Sequence, residues 1–144
     1  MTLDIQESLL TKLYTTLTAD TTLQTAMGGT VRLYPVWAKT DATFPYLVHR
    51  IDMRVGGIFP EAIGTYLLDI WSDSPNAAEI VLIRKRIIEL LDQVQFNTTE
   101  VKNVTIRIQT DGFVPETEEG IWHYTFQFSI SLWRYSETVY IISR

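Results

Sequence analysis

Residues 122 to 133, WHYTFQFSISLW, alternate apolar and polar side chains almost without a break. Trp122, Tyr124, Phe126, Phe128, Ile130 and Leu132 fall on one side, and His123, Thr125, Gln127, Ser129 and Ser131 on the other, until Trp133 breaks the pattern. A period of two predicts a strand over 121–134 with one buried face. Its length and unbroken apolar side predict that it is paired on both edges, with the apolar set against a helix. The opposite side is polar yet nearly free of charge, an unusual choice for a strand that faces only solvent.

The rest of the chain divides by the same logic. Leu9, Leu10, Leu13, Tyr14 and Leu17 recur at helical spacing, which predicts a helix over 4–18 with Thr2 or Asp4 as cap. Asp20 can cap a short second helix that runs to Met27 and stops at Gly28-Gly29. Residues 31–34 read as a short strand ended by Pro35. A strand over 46–55, with Leu47, Ile51, Met53 and Val55 inward, and another over 65–71, with Tyr66, Leu68 and Ile70 inward, form a hairpin with a broad tip. Ser74 at a cap, Pro75 at the first helical position and the stripe Ile80, Ile83, Ile87, Ile88 and Leu91 predict a helix over 75–92. A strand over 101–110 follows, with Val104, Ile106 and Ile108 inward, then the acidic turn DGFVPETEEG. The order α-α-β-β-β-α-β-β predicts one α+β domain over 1–144. Its core is an antiparallel sheet of about four to five strands, of mixed order, with helices packed on one face.

Composition narrows the functions. The chain has 144 residues, 46% hydrophobic and 20% charged, enough for an ordinary core in one domain. Cysteine is absent, so thiol catalysis, Cys-ligated zinc and disulfides are excluded. A net charge of −5 argues against wrapping nucleic acid, which needs clustered cations. The N-terminal stretch carries acids early and does not read as a secretory signal. No run approaches the ~18 apolar residues of a membrane span, so no membrane partner is expected. The sequons at Asn97 and Asn103 therefore read as chance matches.

Candidate chemistry is sparse. His49 and His123 are the only histidines, and neither belongs to a metal-binding spacing, so no metal or cofactor is expected. No GxSxG elbow is present, and the Gly-Gly pairs lack the context that cradles phosphate. No catalytic residue is assigned. Three features instead suit contact with another chain. The tip VGGIFPEAIG carries Ile58, Phe59 and Pro60 where tips are normally polar. The segment TVYII, with Val139, Tyr140 and Ile141, is too apolar for a frayed end. The basic run around Arg84 and Arg86 is read either as a solvated helix back or as a patch for the acids Glu116, Glu118 and Glu119 of a second copy.

The order and spacing of several landmarks resemble one family. These are RLYP at 32–35, FPYLVHR at 44–50, the long run YLLDIWSDSPNAAEIVLIRKRIIELLD at 66–92, FVPETEEG at 113–120 and YTFQFSISLWR at 124–134. Over nearly the whole chain they resemble the tail terminator (tail completion, head-to-tail joining) proteins of long-tailed bacteriophages. The resemblance implies a non-enzymatic virion protein of the tail neck, present in the host cytoplasm during assembly. It implies a hexameric ring that sits on the tail tube protein, stops tail growth and offers a face to the head-connector (stopper) protein. DNA would pass through the lumen without specific binding, repelled by an acidic wall. The family has no catalytic motif to carry over. On this reading the polar side of strand 121–134 hydrogen-bonds across a subunit seam, avoiding the desolvation that buried charges incur. The competing expectation is a small ligand-binding or regulatory α+β module that uses the sheet face as its pocket; a hydrolase with an unrecognised site is a third.

Overall fold

Alternation and helical stripes become three helices and six strands in the computed structural model, which describes residues 5–38, 40–54 and 60–134. In chain order these are α1 (Ile5–Thr18), α2 (Thr21–Ala26), β1 (Leu33–Pro35), β2 (Tyr46–Arg54), β3 (Glu61–Ser72), α3 (Ala78–Leu91), β4 (Val94–Phe96), β5 (Val101–Val114) and β6 (Trp122–Arg134). The strands form one sheet in the order β1-β2-β3-β6-β5-β4. Every pairing is antiparallel except β1 with β2, which is parallel. The architecture is α+β, as expected, with six strands rather than four or five.

The core is built by the predicted periods. Ile5, Leu9, Leu13 and Leu17 of α1 and Ile80, Ile83, Ile87 and Leu91 of α3 are buried. They join one apolar cluster with the inward strand residues, among them Leu47, Tyr66, Leu68, Ile70, Val104, Ile106, Phe126 and Phe128. All three helices therefore lie on one side of the sheet. Tyr14, counted in the apolar stripe of the first helix, is instead 48% exposed.

The strand β6 lies between β3 and β5, paired along its length on both edges. Five of its six expected inward residues are buried, and Trp122 is half-buried at the strand's start, its indole N–H donating to the Ser74 carbonyl at 3.0 Å.

Four local expectations are corrected. The third helix starts at Ala78, with Ala77 as its cap residue, so Ser74 and Pro75 stand before it. Glu79, in the first turn of the helix, accepts the Ser72 hydroxyl at 2.7 Å, and Asn76 accepts the Ala78 N–H at 2.9 Å. A hydroxyl at the end of the preceding strand and a local asparagine replace the predicted cap. The strand expected over 65–71 begins at Glu61 and passes straight through Gly64. A Cβ at that position would meet Met53 Sδ at 2.3 Å and the Asp52 carbonyl at 2.5 Å, so this glycine admits close strand approach instead of marking a turn. The strand β4 was not expected. Three residues carry no readable period, and it is set up by Gln93, whose φ of 62° turns the chain and whose N–H donates to Ile106 at 2.7 Å. Finally, Asp111 to Val114 continue β5 instead of opening the turn, because Phe113 and Val114 pair with Tyr124 and His123. The turn is confined to residues 115–121.

The second helix behaves as read. Asp20 accepts the Leu23 N–H at 2.8 Å, and Gly28 and Gly29 follow with positive φ. The same carboxylate takes two bonds from Arg86 of α3, at 2.9 and 2.7 Å, tying the two helices together. Those bonds hold the Asp20 carboxyl below the ordinary carboxylate range despite the opposing effect of burial. Asp20→Ala is expected to cost about 1 kcal/mol through the lost cap alone. Asp20→Asn, which keeps a capping oxygen, should cost less; chemical denaturation of the two variants checks the order.

Candidate functional site

The side of the sheet away from the helices has no covering layer among the described residues. Along β6 it presents His123, Thr125, Gln127 and Ser129, all half-buried by their strand neighbours, then exposed Ser131 and Trp133. The register places Trp71, Asp69, Leu67 and Thr65 of β3 beside the first four. This face is what the uncharged polar row of the central strand looks onto.

One end of the face is aromatic. The rings of Tyr34, Tyr46, Trp71 and His123 form a row across β1, β2, β3 and β6. Centroid separations are 6.0 Å edge-on, 6.2 Å stacked and 3.8 Å stacked in that order. The His123 ring lies within 12° of parallel to Trp71. Its Nδ1 is 2.8 Å from Glu116 Oε1, which fastens the turn 115–121 to the sheet. Its Nε2 lies 3.3 Å from Asp69 Oδ1, an ion-pair distance without the alignment of a hydrogen bond. Burial pushes the Asp69 carboxyl up, but His123, Thr125 and the charge of Arg50 outweigh it and leave the group below its ordinary value. Tyr46 is shifted up by burial and by the nearby Glu116 carboxylate and Tyr34.

The middle of the face holds a groove of about 500 Å³ bordered by Asp52, Arg54, Gln109, Gln127, Ser129 and Ser131. Its lining mixes those polar groups with Met53, Ile63 and Ile130, a shallow surface of both kinds. The arrangement can hydrogen-bond an opposing backbone or side chain; it concentrates no nucleophile with a base.

The other histidine is part of the core. His49, which the alternation of its strand also turns inward, is 4% exposed, and its Nδ1 is 2.6 Å from the Tyr66 hydroxyl. Burial lowers its pKa to about 4 and keeps Tyr66 protonated far above the ordinary range.

The expected contact residues are scattered. Ile58 and Phe59 of the tip, and Val139, Tyr140 and Ile141, lie outside the described residues. Pro60 is half-buried, and its carbonyl accepts the Arg134 N–H at 2.8 Å. Arg84 is held within the chain by Asp111, at 2.9 Å, and by the Tyr124 hydroxyl, while Arg86 is held by Asp20. Glu116 is engaged by His123, and Glu118 and Glu119 are exposed on the same turn. Two surface features escaped the sequence reading. One is Trp37, 76% exposed beside Val36; the other is Phe113, 51% exposed near the end of β5. Trp37 has no periodic context to flag it, and Phe113 falls within DGFVPETEEG, whose composition reads as a turn.

The fold defined here is a mixed six-stranded sheet with three helices on one side and an open polar-aromatic face on the other. No protein-family model matches the sequence, and a comparison with curated proteins finds no match. Among solved structures the fold is similar to that of a chain in the virion of native gene transfer agent (GTA) particle, with a TM-score of 0.70. That match covers 90% of this chain and 95% of the other at 11% sequence identity, so the likeness is one of fold.

Proposed function

We propose that this chain is a structural virion protein of the tail-terminator kind. It forms a hexameric ring at the head-proximal end of a phage-type tail tube, ends tail growth and joins the tail to the head connector. The observation that carries this reading is the fold likeness to a GTA virion chain, which extends over 90% of this chain and leaves little of either partner unmatched. The landmark order in the sequence points the same way. So does the uncovered face of the sheet, whose Thr, Gln and Ser side chains suit a seam between subunits.

In this role the protein works by shape and contact, without catalysis. Its partners are further copies of itself, the tail tube protein and the head-connector protein. The apolar segments with Ile58, Phe59 and Pro60, and with Val139, Tyr140 and Ile141, are further contact sites of the ring, as are the acids Glu116, Glu118 and Glu119. Arg84 and Arg86 strengthen α3 from within the subunit and leave the lumen to the acidic surplus of −5 per copy.

The test is electron microscopy and mass measurement of the purified chain, alone and mixed with preassembled tail tubes. Rings of six copies, or capped tubes that no longer lengthen, are the expected result. A chain that neither rings nor caps would overturn the proposal. Duplex DNA at low salt should not bind. Tight, salt-dependent binding that vanishes when Arg84, Lys85 and Arg86 become Ala would replace the repulsive lumen with a DNA-gripping helix.

A further inference from the structure

Trp37 is an unusual residue to leave 76% exposed, and the chain holds it there by a strained turn. Its N–H donates to the Pro35 carbonyl at 2.7 Å, closing a three-residue turn around Val36 at φ 65°. That is the rarer, strained hand of γ-turn, and a β-branched residue is poorly suited to positive φ. The Val36 N–H is anchored to the His49 carbonyl at 2.9 Å, so the strain is fixed to the sheet itself. Backbone strain of this kind persists where the surrounding structure imposes it, and it clusters at functional positions. Here its effect is to present an indole outward from the β1 edge.

The other flank of the sheet carries a matching cavity. A cleft of about 240 Å³ lies between Phe113, Pro115, Ile121 and Trp122, with Glu116 at its rim. Phe113 stands edge-on to Trp122 at 6.0 Å, making an aromatic wall. The room suits one indole side chain and little more. The chemistry suits it too: a mostly apolar enclosure whose lining includes the Glu116 carboxylate, an acceptor type that matches an indole N–H, with one oxygen already on His123 Nδ1. β4 covers only Val104, Thr105 and Ile106, so the part of β5 that carries Phe113 is an open edge.

The strand order separates the two features. From β1 to β5 there are four inter-strand spacings, roughly 19 Å, so Trp37 cannot fill the cleft of its own chain. We infer that Trp37 of one copy inserts into the Phe113–Trp122 cleft of the next. Each copy then gives an indole at one flank and receives one at the other. Such heterologous contact closes into a ring when the rotation allows. The inference rests on the ring reading above and names the contact that builds it.

The experiment uses the full chain in whichever condition, free or on tail tubes, the wild type forms rings. Trp37→Ala should weaken assembly by about thirtyfold or more, as loss of a central aromatic anchor does. Its circular dichroism and thermal unfolding should match the wild type, since the side chain lies in solvent. Phe113→Asp, checked for folding in the same way, should block the cleft and fail alike. Mixed, the two variants should give dimers and no rings, because only the intact indole of one and the intact cleft of the other can meet. Wild-type rings formed by Trp37→Ala at unchanged concentration would overturn the inference and leave the ring reading intact. A wild-type chain that never assembles in either condition would overturn both.

Discussion

Phe126→Ala is expected to destabilise the protein by about 3–5 kcal/mol. Phe126 has no exposed surface and sits near the middle of β6, opposite Leu68 of β3. It stacks on Phe128 at 5.4 Å and meets Tyr124 edge-on at 5.2 Å. Both flanking strands are hydrogen-bonded to β6, so the backbone cannot close the hole that truncation leaves, and sites that cannot collapse lie at the costly end of the range. Urea unfolding should show a lower midpoint with an unchanged slope. Phe126→Leu, which keeps most of the volume, should cost less than half as much. Equal costs for the two, or a loss under about 1 kcal/mol for alanine, would show that the central strand is not the packed spine described above.

The second large effect is expected from acid. His49 is neutral in the folded protein because burial lowers its pKa to about 4, against 6.5 when exposed. The Tyr66 hydroxyl, which burial keeps protonated, pairs with Nδ1 of the neutral ring at 2.6 Å. Above pH 6.5 both folded and unfolded forms are neutral and the histidine contributes no pH slope. As pH falls from 6.5 towards 4, only the unfolded chain gains the proton, so stability is lost through that window and the loss levels off below it. The full effect is about 3 kcal/mol. His49→Gln should be less stable than wild type near pH 7, where it disrupts the packed ring. Between pH 6.5 and 4, however, its stability should fall less steeply. Parallel slopes for the two proteins, measured by urea unfolding across that range, would show that His49 is free to charge in the folded state.

The layered plan was readable because long elements impose a period. α1, α3 and β6 each carry an apolar stripe of several turns or residues, and each occupies the predicted span within a few positions. What was hidden had a common physical cause: contacts made at a distance. Gly64 looks like punctuation until Met53 lies across it on the neighbouring strand. The Asp111-Gly112 pair reads as a turn, but Tyr124 and Arg84 hold Asp111 in a strand. Of the candidate contact site, the sequence indicated a polar outer face, whereas Trp37 and the Phe113–Trp122 cleft depend on a backbone twist and a pairing register that no local pattern encodes. The basic run around Arg84 was visible, but its partners Asp20 and Asp111 lie 66 and 27 positions away along the chain.

The strand at the centre of the sheet follows every other described strand in the chain, and this has a consequence for the protein's birth. During synthesis β1, β2 and β3 emerge first, and β4 and β5 later, as two separate half-sheets. Pairing Glu61 with Trp133 joins residues far apart in sequence, the kind of contact that folds slowly because a long loop must be ordered before it is rewarded. Until β6 leaves the ribosome, β3 and β5 each expose a long, half-apolar margin. In a cell making many copies at once, that interval is the time when nascent chains are most open to pairing with one another.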